Sequence, residues 1–254
     1  MNSIARLAIL EWWTGKSWFL ALVALGGATF VAPLVTASSI DPDIIGPARA
    51  QWIYGAAFLL AILYCPVVAA EMGAKQVQRN HRLFWRSQGI GNTEYFAGLV
   101  CAGLAPAFLV SVAATIGILF FGIPEQSAAV KAQAMALTFL ATFSVIPFTV
   151  GLAQLVSGTV AFFFAISIEL AGFYAPPAIE FIRQREGATQ DVRMACEVLL
   201  TLVPRLGLGD QAERLTFGWP LIPWESFGSA VAYFLFIFLV SSALGYVLFR
   251  ARRI

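Results

Sequence analysis

Long apolar runs, each close to the length needed to cross a membrane, dominate the chain. A helix needs about 20 mainly apolar residues to cross roughly 30 Å of hydrocarbon. The pattern predicts six such spans, at 18–37, 52–70, 96–121, 132–153, 159–175 and 227–249. Spans four and five arise from one long apolar stretch, divided at Gln154–Gly158, its most polar and turn-like point. The predicted fold is therefore all-α, with residues 1–254 forming a single transmembrane domain.

Composition agrees with a polytopic membrane protein. Of the 254 residues, 59% are hydrophobic and only 12% are charged. Soluble domains carry roughly 25% charged residues, so a soluble globular enzyme is excluded. The 22 Phe exclude a disordered chain, and three Cys exclude a disulfide-rich scaffold. A net charge of +2 is too small to indicate nucleic-acid binding.

Basic residues are concentrated on the side of the membrane that holds both predicted termini. That side carries Arg6, Lys16, Lys75, Arg79, Arg82, Arg86, Arg250, Arg252 and Arg253. Cytoplasmic loops carry an excess of Lys and Arg, so both termini are predicted to be cytoplasmic. The first span lacks an evident cleavage site, and we expect it to remain as an anchor rather than to act as a signal peptide.

The loop between spans two and three predicts a short basic helix. Residues 74–87 contain no Gly or Pro, and the helix should end at Gly89 and Gly91, before Asn92 or Thr93 caps span three. Its basic residues fall on one helical face, and its large apolar residues lie mostly off that face. The basic set is Lys75, Arg79, Arg82 and Arg86, and the apolar set is Leu83, Phe84 and Trp85. Two interpretations remain open, a membrane-surface helix that fixes topology and a docking helix for a cytoplasmic partner.

Residues 176–226 form a long connection before span six. Most connections are about 4–6 residues long, so a segment of this length predicts structure of its own. Its apolar runs, at 198–200 and 217–219, predict short helices lying on the membrane. A lid that caps the bundle and a gate for a substrate are both compatible with this pattern.

Glu169 is the only carboxylate well inside a predicted span. An acid at a span centre costs about 2.5–3.5 kcal/mol on insertion scales. We therefore expect Glu169 to line a wet path or gate, to pair with a structural partner, or to lie in a shallower part of the span. Gly15-Lys16-Ser17 lacks the upstream glycine of a phosphate loop, since Leu10 stands there. His81 is the single histidine, so His-based metal sites and triads are excluded.

The order of these elements resembles the membrane subunits of ATP-binding-cassette (ABC) type-2 exporters over essentially the whole chain. The local match lies around the first cytoplasmic loop. Glu71 ends span two, Ser87-Gln88-Gly89 forms the turn after the loop helix, and Glu94-Tyr95 and Gly98 begin span three. Gly89 departs from the proline that is usual at this turn.

The resemblance implies a permease subunit in the cell membrane, typically the bacterial inner membrane. A second permease, identical or different, would complete the pore, and two copies of a cytoplasmic ATPase would bind ATP and Mg²⁺. This chain would hold no cofactor, bind no nucleic acid, contact membrane lipids and not be an enzyme. The segment 74–86 would be the ATPase-coupling helix, and Ser3–Trp13 would be an interfacial helix. From the residues alone, a secondary transporter, an intramembrane enzyme and an assembly factor remain alternatives.

Overall fold

The computed structural model describes residues 2–15, 18–19, 21–27, 42–78, 87–121, 126–185 and 189–252. Within these ranges the regular structure is entirely helical. Helices long and apolar enough to cross a membrane are Pro47–Lys75, Asn92–Phe120, Ala128–Leu152, Gly158–Gln184 and Trp224–Ala251. These five correspond to predicted spans two to six. Predicted span one, 18–37, falls largely outside the described residues, although residues 18–19 and 21–27 are helical.

The helices follow one another in a simple order along the chain. They are α1 (Asn2–Thr14), α2 (Pro42–Leu59), α3 (Cys65–Gln78), α4 (Asn92–Phe121), α5 (Ala128–Phe143), α6 (Ile146–Leu152), α7 (Gly158–Gln184), α8 (Gln190–Leu202), α9 (Ala212–Phe217) and α10 (Trp224–Ala251). A π-helical turn, Leu60–Tyr64, joins α2 to α3. A 3-10 turn, Leu206–Gly209, lies between α8 and α9. The 176–226 segment therefore contains helices, and their placement on the membrane surface stays a prediction.

Two prolines shape the second and fourth spans. The Cys65 N–H donates to the Leu60 carbonyl, five residues back, in the π turn directly before Pro66. A proline ring clashes with the carbonyl four residues back in an α-helix, and a wider turn ahead of it relieves that clash. In the fourth span the helix breaks after Phe143 and restarts with Pro147 in the first turn of α6. A proline fits there because the first-turn N–H needs no intrahelical partner.

The fifth membrane helix is longer than predicted. The expectation that it ends at residue 175 is wrong, since α7 continues through Pro176 and Pro177 to Gln184. The Glu180 carboxylate accepts hydrogen bonds from both Arg183 and Gln184, one turn further on. Such i,i+3 and i,i+4 pairs stabilise the helix end by about 0.2–0.5 kcal/mol each, which is much less than the cost of a proline in a helix interior.

The N-terminal helix is present and packs into the bundle. Its buried positions Ile4, Ala8 and Trp12 recur every four residues and face the bundle. Trp12 Nε1 donates to the Tyr64 hydroxyl at 2.9 Å. Helix α1 therefore packs against α3 and α4. Its location at the membrane interface stays a prediction.

Helix α6 occupies the centre of the bundle, in contact with α3, α4, α7 and α10. Its approach to α10 depends on glycine at both sides of the contact. A Cβ atom at Gly151 would lie 2.2 Å from the Gly245 carbonyl oxygen, and one at Gly245 would lie 2.3 Å from the Pro147 carbonyl oxygen. Membrane helices commonly use small residues for such contact, because lipid supplies no hydrophobic drive for association.

Candidate functional site

The predicted ATPase-coupling helix is only partly described. Arg79, Arg82, Leu83, Phe84, Trp85 and Arg86 lie outside the described residues. Helix α3 extends the second span to Gln78 and so leads directly into this segment. Lys75 is described, and its ammonium pairs with the Glu71 carboxylate one turn back at 2.5 Å. After the segment, Gly89 adopts φ 78° in a turn, a conformation that glycine takes without strain, and α4 begins at Asn92.

The end of α3 is tied to two other membrane helices through Gln154, which lies in the turn between α6 and α7. Gln154 is 4% exposed, and its Nε2 donates to the Gly73 carbonyl at 2.7 Å. Arg252, directly after α10, donates from Nη1 to the Gln154 carbonyl at 3.1 Å. We call Gly73, Gln154 and Arg252 the Gln154 junction. The junction lies five residues before the chain leaves the described part of α3, so it adjoins the predicted coupling segment.

A second polar cluster fixes the segment between α8 and α10 at another site. The Tyr54 hydroxyl donates to Asp210 Oδ1 at 3.1 Å and accepts from the Gln211 N–H at 3.0 Å. Thr138 Oγ1 donates to the Gly209 carbonyl at 2.8 Å and lies 3.2 Å from the Tyr54 hydroxyl. These five residues, which we call the Tyr54 cluster, hold the 3-10 turn against α2 and α5. We call the chain from α8 to the start of α10 the cap; its roles as a lid and as a gate both stay predictions.

A groove of about 880 Å³ runs along α10. Its walls come from α10, from the α5–α6 break, from Ile168 of α7 and from the cap between Leu200 and Leu208. It follows α10 from Glu225 to Leu244, a rise of about 28 Å. Small-molecule pockets usually measure about 300–1,000 Å³, so the groove is large enough for a sizeable ligand.

Glu169 faces the core of the bundle rather than this groove. It belongs to the buried stripe of α7, with Ala161, Ala165, Gly172 and Phe173, and its side chain is 0% exposed. The Phe173 ring meets Phe58 at 4.9 Å, while Gly158 meets Ala70, so this stripe runs antiparallel to the second span. Ile168, the neighbouring residue, lines the groove. Ile168 and Glu169 thus lie on different faces of α7, one facing the groove and the other facing the core.

The surroundings of Glu169 contain little that would stabilise a charge. Neither carboxylate oxygen has a hydrogen-bond partner among the described residues. Cys65 lies within electrostatic range, and the π turn packs against α7. In that turn the Cys65 N–H bonds to Leu60, and Pro66 has no N–H, so the carbonyls of Ala61 and Ile62 lack their usual α-helical donors. A desolvated carboxylate without a partner is costly, so the position of Glu169 in the core is an unusual one for an acidic side chain.

Sequence reasoning identified Glu169 and Lys75 but not the groove, the Gln154 junction or the Tyr54 cluster. Gln154 carried a signal, because a glutamine inside a long apolar stretch needs hydrogen-bond partners when buried. The groove was not predicted, because the sequence does not show that Arg205 and the polar residues at the start of α10 line one cavity. Comparison with protein-family models finds no match to this chain, and comparison with curated proteins finds none either. The residues and their geometry therefore carry the functional argument.

Proposed function

We propose that this chain is the transmembrane permease subunit of an ABC exporter, driven by a separate cytoplasmic ATPase. The observation that supports this most is the Gln154 junction. It connects the end of α3, which enters the segment expected to bind the ATPase, with the α6–α7 turn and with α10. A force applied to that segment would therefore reach the helices that line the groove.

The transmission has two hydrogen-bonded steps. Displacement of the α3 end moves the Gly73 carbonyl, and the buried Gln154 side chain follows because it donates to that carbonyl. The Gln154 carbonyl in turn holds Arg252 at the end of α10. Gly73 also approaches α6 closely, since a Cβ there would lie 2.8 Å from the Ala153 Cβ. Such close packing transmits displacement instead of absorbing it.

Exposed apolar surface on α7 and α10 supports the presence of a second permease subunit, which is part of the same proposal. In the most apolar windows of α7 and α10, only 28% and 17% of residues are buried. The described part of the chain therefore leaves two membrane helices with broad faces for lipid or for another permease, which would be a second copy or a related chain. In this arrangement both termini and the coupling segment face the cytoplasm, and ATP and Mg²⁺ belong to the partner ATPase.

One observation favours a second candidate function, secondary transport without an ATPase. Glu169 is a buried carboxylate without a hydrogen-bond partner in the described part of the chain, next to an interrupted helix. Secondary transporters place their coupling-ion sites at such positions. This candidate requires transport that depends on Glu169 and needs no partner ATPase.

Replacing Phe84 and Trp85 together by Ala tests the proposed function. Large aromatic anchors dominate protein interfaces, and losing one typically costs at least about 2 kcal/mol, roughly 30-fold in affinity. We expect the double variant to insert normally but to lose its co-purifying ATPase. The matched control replaces Phe163 and Phe164, both exposed on α7, by Ala and should retain the ATPase.

The opposite results would overturn the proposal. A double variant that still co-purifies with a fully coupled ATPase would remove the docking role of the segment. A wild-type chain that transports with no ATPase bound, and whose transport is abolished by Glu169→Gln, would establish the secondary transporter instead.

A further inference from the structure

The groove along α10 changes character from one end to the other. Towards the C-terminal half of α10 the groove has an apolar wall, formed by Ile237, Val240 and Leu244 of α10 and by Phe148 of α6. Towards the start of α10 the wall becomes polar, with Tyr233, Ser229, Ser226 and Glu225, and Arg205 joins from the cap. Because these positions follow one helix, their order along the groove is fixed by the helical rise.

The two charged residues at the polar part are separated along α10. The Arg205 backbone N–H donates to the Tyr233 hydroxyl at 2.8 Å, which places Arg205 at the level of Tyr233. Glu225 lies two turns earlier, about 12 Å nearer the start of α10. Followed along α10 from Leu244 towards Glu225, the groove thus presents an apolar wall, then a cation, then hydroxyls and an anion.

Neither charged side chain is neutralised by a salt bridge in the described ranges, where the ion pairs join Glu71 to Lys75 and Arg183 to Glu180 and Glu197. Arg205 does lie within electrostatic range of Glu180, but that carboxylate already accepts from Arg183 and Gln184. The guanidinium and the Glu225 carboxylate are therefore available to a ligand that carries both charges.

We propose that this groove binds one zwitterionic glycerophospholipid. Its acyl chains lie along Ile237, Val240 and Leu244, its phosphate meets Arg205, and its terminal ammonium meets Glu225. The two-carbon link between phosphate and ammonium is much shorter than the about 12 Å between the levels of Arg205 and Glu225, so both long side chains extend towards the headgroup. The order of groups in such a lipid, acyl chain then phosphate then amine, is the order of complementary groups in the groove. Arginine is well suited to phosphate because its guanidinium can donate two parallel hydrogen bonds.

Two other occupants fit less well. An anionic phospholipid would satisfy Arg205 but would leave Glu225 without a partner near added negative charge. A membrane helix from a second permease would cover both charges with apolar surface, which is costly without compensating partners. The proposal thus commits to a zwitterionic lipid. Lipid binding in the groove does not rest on the proposed function, because binding requires no ATPase. Only a role of the bound lipid as the exported cargo would rest on it.

The test measures lipids retained by the purified chain. The protein is reconstituted in vesicles with equal amounts of phosphatidylethanolamine and phosphatidylglycerol, extracted in mild detergent and examined by native mass spectrometry. We expect one retained lipid per chain, mainly phosphatidylethanolamine. Ser229→Phe, which fills the groove, should lower its retention about tenfold, equivalent to about 1.4 kcal/mol. The control Ala232→Phe, at an exposed position outside the groove lining, should retain the wild-type amount.

Charge variants test the headgroup assignment. Arg205→Gln should lower retention of both lipids, whereas Glu225→Gln should leave total retention unchanged and abolish the preference for phosphatidylethanolamine. Absence of any preference in the wild type, or unchanged retention in Ser229→Phe, would overturn the proposal. So would efficient disulfide formation between two copies through Val240→Cys in a background without native cysteines, since a second chain would then fill the groove. These readouts stand whether or not an ATPase co-purifies.

Discussion

The two halves of α10 have similar composition but very different surroundings. In the C-terminal half, Gly245 contacts the α6 backbone, Phe249 is 0% exposed, and Ser241 Oγ accepts from the Phe148 N–H at 3.0 Å. In the N-terminal half, Trp224 and Phe236 are 65% and 60% exposed, although Phe234 is buried, and the opposite wall stands away from Phe236 across the groove. One helix is thus an anchor at one end and an open wall at the other.

The difference comes from small residues rather than from hydropathy. Anchoring places Ser241, Gly245 and Phe249 four residues apart on one face, where a glycine lets the backbones meet. In the N-terminal half, Gly228 makes no such contact with the described residues, since an added Cβ there would meet nothing within 4 Å. Because the anchored end also carries Arg252 at the Gln154 junction, movement of that junction would tilt the open half and change the groove.

The largest effect should come from Gly245→Ala. The added Cβ would lie 2.3 Å from the Pro147 carbonyl oxygen, and backbone on both sides leaves little room to relax. Overpacking usually costs about 1–3 kcal/mol, and a clash with backbone belongs above that range. We expect loss of folded protein on fluorescence-detected size exclusion. Gly228→Ala, the control on the open half, should fold normally and gain slightly in helix propensity.

A Gly245→Ala variant as stable as Gly228→Ala would show that α6 and α10 do not make this contact. The anchor would then have to be placed elsewhere on α10.

The next effect concerns Phe249 and Phe236, two phenylalanines of the same helix. Phe249→Ala empties a site packed against Tyr95 and Phe96, and should lower the free energy of unfolding by about 3 kcal/mol. Phe236→Ala should change it by less than about 0.5 kcal/mol, since lipid or a groove ligand replaces the lost contact. Thermal unfolding in the same detergent measures both. Equal losses for the two variants would mean that the open half is also packed against protein.

The sequence predicted the membrane spans well, and the structure explains where it failed. Five of the six spans were found because length and apolarity alone define them. The end of α7 was placed at residue 175 because the apolar stretch ends there, whereas the helix continues through Pro176 and Pro177 to Gln184. The groove and the anchor on α10 could not be predicted, since both depend on which face of α10 meets α6 and on close approaches that only the folded structure shows.

A smaller effect is expected at the Gln154 junction. Gln154→Ala removes the side-chain hydrogen bond to the Gly73 carbonyl, and such a bond typically contributes about 0.5–1.5 kcal/mol. The Arg252 bond should survive because it uses the Gln154 backbone carbonyl. If the junction transmits force, the variant should insert and bind its ATPase but show reduced substrate-stimulated hydrolysis. The control is Gln184→Ala at the distant end of α7, which should keep coupled hydrolysis. Normal coupling in Gln154→Ala would restrict the junction to a structural role.

The smallest change in stability is expected from Glu169→Gln. This variant tests whether the buried face of α7 affects the groove along α10. Glutamine keeps the size of the neutral acid and removes the option of a charge, so we expect an unfolding temperature equal to or above that of the wild type. Glu169→Ala, the matched variant that leaves a cavity, should lower the stability by about 2 kcal/mol. Lipid retention in the groove should be unchanged in both, because Ile168 and not Glu169 lines it.

A large loss of stability in Glu169→Gln alone would show that the carboxylate binds a cation or a charged partner. Loss of transport with normal stability would instead assign Glu169 to the path or gate that its position in a membrane span first indicated.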